Sequence, residues 1–204
     1  MYNVNQTIDS EARASNFLDV GIHEDVTLNS AEYKVSDAGN EFLVFHFERD
    51  GKKIDHTEWK PNDADPQKLE NKELNQIKRV KHIVTKFIPE DQYVFQASDF
   101  KSFCENTVKL LGNAYVGKLV RLKVIYNFNN YTSLPNYVPF IETMEVPKAE
   151  SKLETLSIDK MTKDRADAEP QTTNPVADLA EPTIPEVQGT SPTDELPLIE
   201  ELSF

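Results

Sequence analysis

The chain has a single cysteine, Cys104, so no disulfide can form within it, and a reducing compartment suits it. Cys104 sits in the helical pattern SFCENTVKLL, where a small core residue is the expected role. Glycine is scarce, with 6 in 204 residues, which leaves little material for phosphate-cradling loops. No Walker loop, dinucleotide glycine pattern, HExxH or nucleophile elbow is present, and no enzyme is expected. No apolar run is long enough for a membrane helix, and residues 1–17 lack the charged and apolar regions of a signal peptide. These absences predict a soluble, intracellular chain. Lysine and arginine are missing altogether from residues 166–204.

What is present is acid. Net charge is -13, which opposes binding to a polyanion unless a local basic face exists. The imbalance is concentrated at the C-terminal end, where residues 166–204 carry nine acids. Seven of the 12 prolines lie in 147–204, and the only aromatic residue there is Phe204. Such a segment buries too little apolar area to offset its ordering entropy. The expected organisation is a flexible segment at 1–16, one folded domain at 17–146, and a disordered acidic tail at 147–204 with an apolar tip at 196–204.

The folded part centres on residues 118–140, KLVRLKVIYNFNNYTSLPNYVPF. Val120, Leu122, Val124 and Tyr126 alternate with Arg121 and Lys123, the period of a strand with one buried and one wet face. The wet face is read as basic. It leads into an Asn-rich loop bearing Phe128, Tyr131 and Tyr137. Cations for phosphates beside rings for unstacked bases are what a single strand of nucleic acid needs; each stacked base contributes roughly 1–3 kcal/mol.

Other elements follow in order. A long first strand runs to about residue 35, and FLVFHFER forms the second. Asp50-Gly51 is a strong hairpin signal returning KKIDHTEWK as the third. Helices are expected over 71–88, with Leu74, Ile77, Val80, Val84 and Phe87 as the apolar stripe, and over 98–111, with Ser98 as N-cap. Strands over 118–127 and 137–146 complete the chain. This order, β-β-β-α-β-β, predicts a mainly β fold with a helical insert (β+α): a five-stranded Greek-key barrel, the OB-fold, whose ligands lie across strands two and three and beneath two loops.

Further candidates lie outside strand four. Lys78, Arg79, Lys81, His82 and Lys86 form a basic helix face that either is simply solvated or extends a cationic track. Trp59, the only tryptophan, is either core or a stacking platform, and Tyr126 at the end of strand four is a further candidate for stacking. On the hairpin, His46 should face Asp55 and Phe45 should face His56, so the two histidines are not paired and no metal is expected. A disordered acidic chain mimics DNA, and Glu200, Glu201, Leu202 and Phe204, with its carboxylate, suit a cation-rimmed pocket on a partner.

FLDVGIHEDVTL, NQIKRVKHIVTKFIPED, DFKSFCENTVKLLG and NYTSLPNYVPFIE together resemble tailed-bacteriophage single-stranded DNA-binding proteins with an OB-fold and an acidic tail. The terminal ELSF is similar in kind to the acidic, Phe-ended tips of such proteins, without the usual run of Asp. The resemblance implies sequence-independent coating of single-stranded DNA in phage replication, recombination and repair, in the host cytoplasm. No cofactor and no membrane association are expected, polymerase or helicase is expected to be recruited through the acidic tip, and a homo-oligomer is compatible with this reading. Two other readings are carried forward, a protein-interaction scaffold on a small β-barrel and a metal-dependent nuclease using Glu24-Asp25 or Asp63 and Asp65.

Overall fold

The computed structural model describes residues 15–164. The chain runs β1 (Gly21–Val35), β2 (Glu41–Arg49), β3 (Lys52–Trp59), α1 (Pro66–Val84), α2 (Phe100–Leu111), β4 (Leu119–Tyr126), β5 (Thr132–Ser133) and β6 (Ile141–Thr143). These form one antiparallel sheet in the order β3-β2-β1-β4-β5, with β6 also on β4. Among the described residues the fold is mainly β with two α-helices, and the sheet is open. None of the described helices is long and apolar enough to cross a membrane.

β1 spans both halves of the sheet. Residues 27–35 pair with β2 and residues 21–27 with β4. Register breaks between His23 and Val26 and between Leu28 and Ser30 mark where the strand redirects itself. The β2–β3 hairpin turns on Asp50 and Gly51, both at positive φ, the geometry of a two-residue turn matched to strand twist. It sets Phe45 opposite His56 and His46 opposite Asp55, as the sequence implies.

The helices depart from expectation at their ends. α1 begins at Pro66, because Asp65 caps it by accepting from the Gln67 and Lys68 amides. It stops at Val84, where the chain tightens and the Phe87 amide bonds to Val84. Asp99, not Ser98, caps α2 through a reciprocal box with Ser102; the Ser98 hydroxyl donates to the Asp99 carboxylate. The buried side of α1 is Gln76, Val80, Ile83 and Val84, while Leu74 and Ile77 are exposed. Cys104 is fully buried, as read from the sequence, and burial pushes its thiol up to about 12.

The expected fifth strand is short, with only 141–143 pairing, and β5 is an added pairing on the end of β4. The expected barrel is not closed by a ladder. Cα atoms of β3 and β5 approach within 8 Å, but no backbone hydrogen bonds join the two strands. Side chains occupy that seam. Arg79 reaches from α1 to Glu58 on β3, with Nε at 2.6 Å and Nη2 at 2.7 Å, and its Nη1 lies 3.5 Å from the Asn136 carbonyl. The His56 ring sits 5.5 Å from that of Phe140.

The packed body does not end at 146. Residues 147–164 form a strap over the outer side of β4 and β6. Leu153 is buried. The Ser151 hydroxyl and Lys152 amide donate to Glu142, at 2.7 and 2.6 Å. The Tyr126 amide donates to the Lys160 carbonyl at 2.8 Å, continuing β4 onto the strap. The reading that placed the tail boundary at Pro147 is therefore corrected. Proline and acid content there conceal Leu153 and Asp159, the two side chains that anchor the strap.

Removing an entire partner from a buried charge costs several kcal/mol. A chain ending at residue 146 is expected to lose roughly 3–5 kcal/mol in urea unfolding, whereas one ending at 164 should match the full chain. Equal stability of the 146 truncation would show that the strap carries no load.

Candidate nucleic-acid interface

Strand four does not present a wet basic face. Arg121 and Lys123 do point outward from the sheet, opposite the core-facing Val120, Leu122 and Val124, but the strap covers them. Lys123, 2% exposed, donates from Nζ to the Tyr137 hydroxyl (2.9 Å), the Glu154 carbonyl (3.0 Å) and Asp159 Oδ2 (3.1 Å). Arg121 donates to Glu142 (3.1 Å) and Glu24 (3.3 Å). The expected basic groove at these residues is corrected for a simple reason. Alternation shows which side a charge faces, not whether water or a carboxylate meets it there.

Tyr137 belongs to the same arrangement. Its hydroxyl donates to Asp159, its ring lies 4.7 Å beneath Lys123 Nζ, and its face is not free for a base. Burial would raise the Asp159 carboxyl, but hydrogen bonds from Tyr137, the Leu156 amide and Lys123 outweigh it and hold it below the usual carboxylate range.

The helix cations are likewise divided. Arg79 is committed to Glu58. Burial would raise Glu58, but hydrogen bonds from Arg79 and then His56 hold it down at about 2. Lys81 pairs with Glu90 at 2.7 Å. Lys86 is half-buried, and loss of water lowers its pKa. His82 accepts from the Phe140 amide at 3.3 Å, so its ring is neutral; burial, aided by Lys86, lowers it to about 4. Lys78 is exposed and forms no ion pair among the described residues. A continuous cationic track along α1 is not present among the described residues.

The rings fare better. Trp59 is 52% exposed on the outer face of β3 and packs at a tilt against Phe42, its cross-strand neighbour, with centroids 4.6 Å apart. Phe128 and Tyr131 are 86% and 71% exposed on the turn between β4 and β5. That turn is built by its own asparagines. Asn127 Oδ1 accepts from the Asn129 and Tyr131 amides, at 2.9 and 3.1 Å, and the Asn127 amide donates to the Tyr131 carbonyl at 2.8 Å. Asn130 adopts φ 62°, which asparagine tolerates. Residues 127–137 contain no charged side chain. The tip thus displays two rings on an ordered loop, with no carboxylate of its own to repel phosphate. Tyr126 is half-buried beside it, its ring 5.9 Å from Lys163 Nζ.

Sequence reasoning missed Phe42 as the partner of Trp59, and missed Lys160 and Lys163 on the strap. A signal was available. Residues 147–164 hold Leu153, Leu156 and Ile158 together with four lysines, unlike the cation-free stretch that follows. The expected partner-binding residues Glu200, Glu201, Leu202 and Phe204 lie outside the described residues.

A cavity of about 560 Å³ opens between α1 and residues 93–103, lined by Ile77, Tyr93, Phe95, Phe100 and Phe103. Lys60 and Lys81 on its wall are matched by Glu73 and Asp99, so it has no net charge to attract phosphate.

His82 and Glu58 make a pH prediction. Both are depressed in the fold, from 6.5 to about 4 and from 4.5 to about 2. Each therefore contributes stability above its ordinary value, and that stability is lost as pH falls toward the folded value. Thermal unfolding should be level above about pH 6.5, decline toward pH 4 through His82, and fall further below 4.5 through Glu58. His82→Gln should flatten the upper limb alone; an unchanged upper limb would remove His82 from the account.

Compared with models of known protein families the sequence matches none, and no curated protein is significantly similar to it.

Proposed function

We propose that this chain binds single-stranded DNA without sequence preference, using the β4–β5 tip and the outer face of β3 as stacking surfaces. The observation that carries the reading is the charge-free, internally hydrogen-bonded tip with Phe128 and Tyr131 turned to solvent. Rings held out on an ordered loop stack on bases without first costing loop entropy. Trp59, backed by Phe42, offers a second platform.

The strand order supports the finer reading of an OB-like Greek-key barrel. β1 is shared between β2 and β4, the helices fall between β3 and β4, and the last strands return toward β3. In such a barrel the β3 face and the loop after β4 lie on the ligand side, where the exposed rings are found. The resemblance to phage single-strand binders points the same way and suggests roles in replication, recombination and repair. On this reading the acidic end of the chain lowers affinity for polyanions by repulsion and presents Phe204 to polymerase or helicase.

The cavity beside α1 favours a second reading, a scaffold that binds protein. Titration with oligo-dT, followed by Trp59 fluorescence at low and high salt, separates the two. DNA binding predicts quenching and an affinity that falls with salt. Phe128→Ala and Tyr131→Ala should each weaken binding by about 1–3 kcal/mol with unchanged thermal stability. Absence of binding, or an affinity indifferent to both rings, would overturn the proposal. Ending the chain at 165 should tighten binding; an unchanged affinity would remove the tail from regulation.

A further inference from the structure

The stacking rings found on the tip have no cation of their own, since residues 127–137 carry no charge. The two basic residues first expected to serve strand four are enclosed by carboxylates. A single strand stacked on Phe128 and Tyr131 would therefore meet its phosphate contacts elsewhere, and the strap brings a cation to this end of the sheet.

The strap is fastened to the hairpin at two points. The Tyr126 amide donates to the Lys160 carbonyl at 2.8 Å, and the Asp164 amide donates to Asn130 Oδ1 at 3.2 Å. Between them Lys163 is held with Nζ 5.9 Å from the centre of the Tyr126 ring. Lys160 is neutralised by Asp164 at 2.5 Å, whereas Lys163 forms no ion pair among the described residues. Its charge rests against a ring face, an exposed contact that stabilises by well under the energy of a phosphate pair. Asn130 is itself part of the turn that presents Phe128 and Tyr131. Cation, half-buried ring and exposed rings thus share one small piece of backbone.

We infer that the strap is a working part of the nucleic-acid site: Lys163, held over Tyr126, contacts the phosphate of a strand whose bases stack on Phe128 and Tyr131. The inference rests on the single-strand reading above and extends the binding unit to residues that composition assigns to the tail. The strap's anchor, Lys123 with Asp159 and Tyr137, then acts as positioning machinery, since it sets where the strap meets the hairpin.

The test uses the full-length protein and oligo-dT over a range of salt. Lys163→Gln should weaken binding several-fold at low salt and reduce the salt slope by about 0.7, the value for one lost contact on a single strand. Lys163→Arg should restore both, and thermal stability should not change in either variant. A structural role would move stability and leave the slope alone. If Lys163→Gln binds as the parent does with the same slope, while Phe128→Ala loses affinity, the strap is outside the site and the stacking reading stands. If the parent protein does not bind oligo-dT at all, the reading and this inference both fail, and the tip rings serve a protein partner.

Discussion

The enclosed Lys123–Asp159 pair, completed by the Tyr137 hydroxyl, is the interaction on which the rest of the molecule depends. An ammonium group and a carboxylate withdrawn from water each cost several kcal/mol unless they meet each other and every remaining donor is satisfied. Here the three Lys123 donors have three acceptors, and Asp159 also takes the Leu156 amide. A lone lysine on the outside of β4 would simply stay wet. With Asp159 seventeen residues beyond Glu142 in the chain, the strap becomes the element that completes the sheet's outer surface.

The same logic governs the seam between β3 and the segment after β5. A ladder is missing there, and Glu58 with Arg79, His56 and Gln76 stands in its place. Both ionic groupings tie α1 or the strap to the sheet through side chains. Their cationic members, Lys123 and Arg79, are withdrawn from solvent, which leaves the exposed rings and cations outside these groupings, such as Lys163, as the features open to a ligand.

Local pattern made some of this legible. The strand over 118–127, the Asp50-Gly51 turn with its register, and the burial of Cys104 all follow from rules that act over a few residues, and the structure has them; the wet face read from the alternation it does not have. Burial of Arg121 does not follow from such rules, because Glu24 and Glu142 arrive from distant parts of the chain. Nor does the cap of α2, where Ser98 and Asp99 are adjacent and equally suited by residue type; the capping box with Ser102 decides between them. Trp59 illustrates the opposite case. Its exposure is set by its parity on β3, outward with Asp55 and Thr57, whereas Ile54, His56 and Glu58 point in. Composition misplaced the end of the fold because it averages over 147–204, and the packed strap is diluted by the acidic stretch behind it.

Lys123 is internal, and on the single-strand reading proposed above nucleic acid meets the far end of β4. Lysine acylation followed by peptide mass analysis, with and without oligo-dT, tests this in one measurement. Lys123 should be unreactive in both states, and Lys163 should react in the free protein and be protected in the complex. Ready modification of Lys123 in the free protein, with DNA protecting it and leaving Lys163 reactive, would contradict the account.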